Sequence, residues 1–205
     1  MKDAVARLTP LGVAVLALLR EDDMHTYEMI RLMRIRRDDR IVSPTHGTMY
    51  HTVARLERAG LIAEVGVERA GNRPERTTYR LTDAGDAAVV EWVRRELPRV
   101  DRPVEFRVAL AEAHNLPREE VLALLRTRLA ALAAERDAHR AACDEAQRRE
   151  VLEQYLVEVD RQRALLEADH DWLRALIERL AREDFVWGVH EPTARYLAQR
   201  EAARR

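Results

Sequence analysis

The chain has 205 residues, with 35 Lys or Arg against 36 Asp or Glu, and 34 of the basic residues are Arg. Apolar residues make up 47% and aromatics only 5%, which is enough for a core but too aromatic-poor for a β-sandwich; the abundance of Ala, Leu, Arg and Glu points instead to long helices. A formal net charge of −1 excludes a non-specific polyelectrolyte binder, one cysteine excludes an internal disulfide framework, and no apolar run reaches the ~18 residues of a membrane span. With no signal-peptide pattern in MKDAVARLTP, a cytoplasmic protein with no membrane partner is expected.

Thr9-Pro10 opens a first helix, with a capping hydroxyl followed by the residue suited to a first turn, and Leu11, Val15, Leu18 and Leu19 form its apolar stripe. A second helix starts near Thr26, with Tyr27, Ile30 and Met33 on one face, and the charged stretch 36–43 reads as a loop. Ser43-Pro44-Thr45 starts a third helix, on which Met49, Val53 and Leu56 face inward and which Gly60 ends. Two β-type runs follow, residues 61–69 and 77–81, joined by the turn cluster Ala70-Gly71-Asn72-Arg73-Pro74. Asp83 is positioned to cap a fourth helix, and Pro98 and Pro103 flank a boundary.

Beyond residue 104 the pattern is helical throughout. Phe106, Leu110 and Ala113 mark a short helix, and Leu122, Leu125, Leu129 and Leu132 step as a heptad seam. A second long helix is expected after Gln147-Arg148-Arg149, with the seam Leu152, Leu156, Val159, Leu166, Leu173, Ile177 and Leu180; Arg163 and His170 fill its two polar positions. The predicted fold is therefore mainly α. A winged helix-turn-helix domain (1–100) precedes an antiparallel helical hairpin (101–184), and a tail (185–205) carries a short helix after Pro192. The seam needs the preceding helix or a second chain to cover it, so a homodimer with these seam residues at its interface is expected.

The third helix carries the functional reading. His46, Thr48, His51, Thr52, Arg55 and Arg58 are its outward candidates, and Tyr50, beside the buried Met49, has a phenol long enough to reach a phosphate. A major groove admits one α-helix, and base edges require donors and acceptors of this kind; the alternative is a solvated face. Arg69, Arg73 and Arg76 lie at or near the hairpin tip, where a wing meets the phosphate backbone or minor groove; Glu68 and Glu75 partly offset them.

Four motifs then occur in one order: Tyr27-Glu28, Gly47-Thr48-Met49-Tyr50, Leu56-Glu57-Arg58-Ala59-Gly60-Leu61-Ile62, and Tyr79-Arg80-Leu81-Thr82-Asp83-Ala84-Gly85. In this the chain resembles the PadR family of bacterial transcriptional repressors over residues 8–97, and its helical half is similar to the dimerisation region of longer members. The resemblance implies a homodimer that binds an inverted repeat in double-stranded promoter DNA and is released by a small-molecule effector. Thr26 stands where the family usually has Gly, and Thr45-His46 is an addition over shorter forms.

Trp92, Trp172 and His170 are the effector-contact candidates. Trp172 resembles the drug-stacking Trp of small family members, while core packing is the plainer role for both tryptophans and a register-fixing hydrogen bond for His170. His139 and Cys143 stand four apart on a helix, but a metal site needs three or four ligands, so no metal or cofactor is expected. No nucleophile elbow, P-loop, dinucleotide fingerprint or zinc-protease motif occurs, and an enzyme is not expected. The competing function is a winged-helix protein-interaction module with weak or no specific DNA binding.

Overall fold

The computed structural model describes residues 5, 7–68, 76–189 and 191–204. Helix α1 (Pro10–Glu21) begins as the sequence dictates: the Thr9 hydroxyl accepts the Gly12 N–H at 3.2 Å. Strand β1 (Met24–His25) leads into α2 (Thr26–Arg36). The cap of α2 is His25, whose Nδ1 accepts the Glu28 N–H at 3.0 Å, and Thr26 is buried one position further in. Arg37 ends the helix in the left-handed region (φ 66°), and a 3-10 turn (Asp38–Arg40) occupies the stretch read as a loop.

Helix α3 (His46–Arg58) is fixed at both ends. Thr45 and Thr48 form a capping box: Thr45 Oγ1 accepts the Thr48 N–H at 3.1 Å and Thr48 Oγ1 accepts the Thr45 N–H at 2.9 Å. At the other end Gly60 adopts φ 69°, its N–H bonds to Glu57 O, and the Leu61 N–H bonds to Leu56 O. This is the double closure that favours glycine after a helix.

Strands β2 (Ile62–Glu68) and β3 (Arg76–Leu81) pair antiparallel, Ile62 opposite Leu81, with a bulge between Glu64 and Gly66. Strand β1 pairs with the other side of β3, Met24 opposite Tyr79, giving the order β1-β3-β2. The two-residue β1 has no periodicity to read and was not expected. Helix α4 (Asp83–Glu96) is capped by Thr82, not by Asp83, which is already its first helical residue. The Thr82 hydroxyl accepts the Gly85 N–H at 3.1 Å and donates to Gly60 O at 2.8 Å, tying the start of α4 to the end of α3.

The helical half comprises α5 (Pro103–Ala111), α6 (Arg118–Arg148), α7 (Val157–Leu180) and α8 (Ala194–Arg204). Short 3-10 turns at Ala113–Asn115 and Glu153–Tyr155 lie between them. Arg136 approaches His170 and Arg140 pairs with Glu167, so residue numbers fall along one helix as they rise along the other: α6 and α7 are antiparallel. Among the described residues no helix is long and apolar enough to cross a membrane.

The seam needs two corrections. Helix α6 runs to Arg148 and closes through Glu150 at φ 55°, with Val151 N–H bonded to Ala146 O, so Leu152 and Leu156 precede α7 instead of lying on it. Of the remaining seam residues, Leu166, Leu173, Ile177 and Leu180 are buried and Val159 half-buried. They lie on the helix that packs along α6 of the same chain. On α6, Leu122, Leu125 and Leu132 are buried as expected, but Arg128 is buried where Leu129 was expected, its guanidinium 3.5 Å from the centroid of the Phe106 ring. Burial pushes that guanidinium below its ordinary pKa.

Candidate nucleic-acid interface

Helix α3 buries Met49, Thr52, Val53 and Leu56 and exposes its other sides. Thr52, expected to face outward, is only 7% accessible. It sits three residues after Met49 and four before Leu56, so helical spacing carries it into the same stripe. His46, Thr48, Tyr50, His51, Arg55 and Arg58 are exposed, Tyr50 to 56%. The capping box occupies the Thr48 hydroxyl, which leaves its methyl as the free part. Arg55 Nη2 donates to Thr9 Oγ1 at 3.0 Å and Arg58 Nε to Ala54 O at 3.2 Å, so both guanidiniums lie along the protein surface.

The sequence reading missed a neighbour. Tyr27 is 43% exposed, not on the core face of α2, which is made by Met29, Ile30, Leu32 and Met33. Its ring stacks on His46 with centroids 6.2 Å apart and 20° between planes, and Arg31 lies 5.9 Å from its centroid. Tyr27 and Arg31 thus extend the polar face at the start of α3. The Tyr27-Glu28 motif marked the position but not its partner.

The hairpin stands beside this face. Arg76 opens β3 opposite Glu68, while Arg69 and Arg73 lie outside the described residues. Arg80 is held by Asp23 at 2.6 Å. Burial, with the charges of Glu57 and Glu64, pushes the Tyr79 phenol above its ordinary pKa. Of the effector-contact candidates, Trp92 is fully buried in the core, which corrects its assignment as a contact. Trp172 is 47% exposed on α7. His170 has its Nδ1 3.5 Å from Arg136 Nη1 and 3.3 Å from Asp171 Oδ1, a polar position on the α6–α7 seam.

Helices α1 to α3, with a small antiparallel sheet closing on them and helices following, make a winged helix-turn-helix fold. Residues 15–91 match the transcriptional regulator PadR-like family. Among solved structures, the chain is similar to Bacillus subtilis PadR in complex with operator DNA: 19% identity, 83% of this chain and 98% of that one covered, TM-score 0.39. It is also similar to the same protein in complex with p-coumaric acid, at 18% identity with 85% and 100% covered and a TM-score of 0.36. A PadR-like regulator from Bacillus cereus is 16% identical, with 83% and 97% covered and a TM-score of 0.36. No curated protein matches the chain.

Proposed function

We propose that the protein is a homodimeric transcriptional repressor, and not an enzyme, which binds an inverted-repeat operator and is released by a small molecule. The observation that carries this reading is the exposed polar face of α3 within a PadR-like domain. A helix of this size enters the major groove with its N-terminal turns nearest the bases. There His46, Tyr50 and His51 supply donors and acceptors, and the first-turn N–H groups suit a phosphate. Arg55 and Arg58 in the last turn reach base edges or backbone, and Arg69, Arg73 and Arg76 of the wing reach the adjoining backbone. The protein would act in the cytoplasm, where the chromosome of a bacterial regulator lies.

An inverted repeat calls for a two-fold dimer. With Leu166, Leu173, Ile177 and Leu180 covered within the chain, the second copy is assigned to the neighbouring edge of α7. Here Leu165 and Trp172 are 44% and 47% exposed and stand two helical turns apart on one face. Trp172 is then an interface residue that an effector could also meet.

The test is fluorescence anisotropy of the chain on DNA from upstream of its own coding region and on a scrambled duplex, at two salt concentrations. The expected result is tighter binding to the upstream fragment, weakening as salt rises. Equal affinity for the two duplexes would refute the reading.

A further inference from the structure

Helix α8 folds back along α2 and, with the segment before it, closes a cavity of about 930 Å³ against α1, the 3-10 turn after α2, and α5. This volume lies in the range of small-molecule sites. The inner wall is apolar, with Leu18, Met33, Ile41 and Val108 among its residues.

The charges around the cavity do not cancel locally. Glu21 is taken by Arg36, in two bonds of 2.5 and 2.8 Å, and Tyr196 donates to it at 3.4 Å. Arg20 is turned to Asp86 and Arg200 to Asp22, neither of which lines the cavity. Asp38 and Glu112 have no ion-pair partner within 4 Å among the described residues; the side-chain bond to Glu112 comes from the neutral Asn115 at 3.0 Å. Unpaired carboxylates in such surroundings are costly, and burial pushes both upward in pKa. The single nitrogens of Arg20, Arg36 and Arg200 that lack a partner are out of solvent reach and belong to guanidiniums already in ion pairs. The lining carboxyls are Glu21, Asp38, Glu112 and the exposed Glu191. Arg195, the one lining arginine with no ion pair within 4 Å among the described residues, is exposed as well, so an anion at the inner end would meet carboxyl groups and no uncommitted arginine.

We propose that this cavity binds an amphipathic organic cation, its apolar body on the wall formed by α1 and α5 and its ammonium group drawn to the carboxylates of Glu112 and Asp38. The occupant lies beneath α8, which is tied to α2 through Arg204–Glu28 at 3.1 Å and to the end of α1 through Arg200–Asp22. That the occupant regulates DNA binding rests on the repressor reading; that it binds does not.

The experiment is isothermal titration of the full chain, without DNA, with two probes that share a naphthyloxy body and carry opposite charge: propranolol, an amine, and 2-naphthoxyacetate, a carboxylate. Saturable binding of propranolol is expected, with at least tenfold weaker binding to the Asp38→Asn, Glu112→Gln double variant and none by the carboxylate. Ala111 lines the cavity and is exposed, so Ala111→Trp should block binding by bulk alone while leaving the charges in place. Circular dichroism confirms that each variant is folded. No propranolol binding, equal binding of the carboxylate, or full affinity in either folded variant overturns the proposal. Promoter anisotropy run in parallel separates the two readings: a chain that binds propranolol but discriminates no DNA keeps the site and loses the repressor, and the reverse result does the opposite.

Discussion

Gly85 is the position at which the structure tolerates least. A Cβ placed there would lie 2.1 Å from the carbonyl oxygen of Leu61 and 2.7 Å from Leu81 Cδ1. Ordinary contacts are about 3.5 Å, so the start of α4 or the α3–β2 junction must move by roughly 1 Å. Neither can move freely: Leu61 O also accepts the Thr82 N–H at 3.2 Å, and Leu61 N–H closes α3. Overpacking costs about 1–3 kcal/mol, and a backbone neighbour, which cannot rotate away, puts Gly85→Ala at the upper end, about 3 kcal/mol. For a chain of this size that lowers Tm by roughly 6–12 °C. The sign is diagnostic, because an uncrowded helical Gly→Ala would stabilise by about 0.4–1 kcal/mol. Thermal unfolding followed by circular dichroism decides it, and a variant as stable as the parent would show that the close approach does not constrain the fold.

Three further outcomes are expected. Tyr50→Phe should weaken binding to operator and scrambled duplex alike, whereas Arg55→Ala, if Arg55 reads a guanine, should cost about 1–3 kcal/mol on the operator alone; titrations on both duplexes separate the two, and no effect from either removes α3 as the reader. The pair Leu165→Glu, Trp172→Glu should convert a dimer to a monomer in sedimentation with little loss of thermal stability, and a variant that stays dimeric places the interface elsewhere. Glu112 lies near Arg20, Glu21, His114 and Tyr196, and its folded pKa is raised chiefly by burial, so the unfolded chain ionises first and stability falls as pH climbs from the ordinary carboxylate range to the raised value. Glu112→Gln should therefore be more stable than the parent at neutral pH and indistinguishable from it well below pH 4, as read by urea unfolding at both pH values.

The helices were legible where one stripe of residues met one core. Met49, Val53 and Leu56 announced α3, and the glycine at 60 announced its end, because both signals are local. The seam of α7 was legible for the same reason. Its start was not: the closure at Glu150 uses a non-glycine residue in the left-handed region, which no composition signal marks. Arg128 was missed because its burial depends on Phe106, a residue of another helix whose ring accepts the guanidinium face. Thr52 was misplaced because a threonine reads as polar, although its position in the stripe outweighs its hydroxyl. On the site side, the exposed face of α3 could be listed from spacing, Thr52 apart, whereas the cavity residues come from α1, α5, the turn after α2 and α8, and no local pattern joins them.

Tyr27 and Glu28 show why two adjacent residues can form one motif. Successive positions on a helix point about 100° apart, so a single first turn can serve two partners. Tyr27 turns to α3 and stacks on His46, at the end of the helix proposed to meet DNA. Glu28 turns inward, is 4% accessible, and takes Arg204 from α8. At the far end of α2, Arg36 bonds to Glu21 and lies 3.8 Å from the centroid of the Tyr196 ring, so α8 grips α2 at both its first and last turns. Helix α2 is therefore the element shared by the roof of the cavity and the reading helix. An occupant beneath α8 would alter DNA affinity only to the extent that it binds one position of α8 on α2 more tightly than another. Removing the Arg204 and Arg200 side chains should weaken that coupling while leaving the exposed face of α3 intact, since neither arginine touches it.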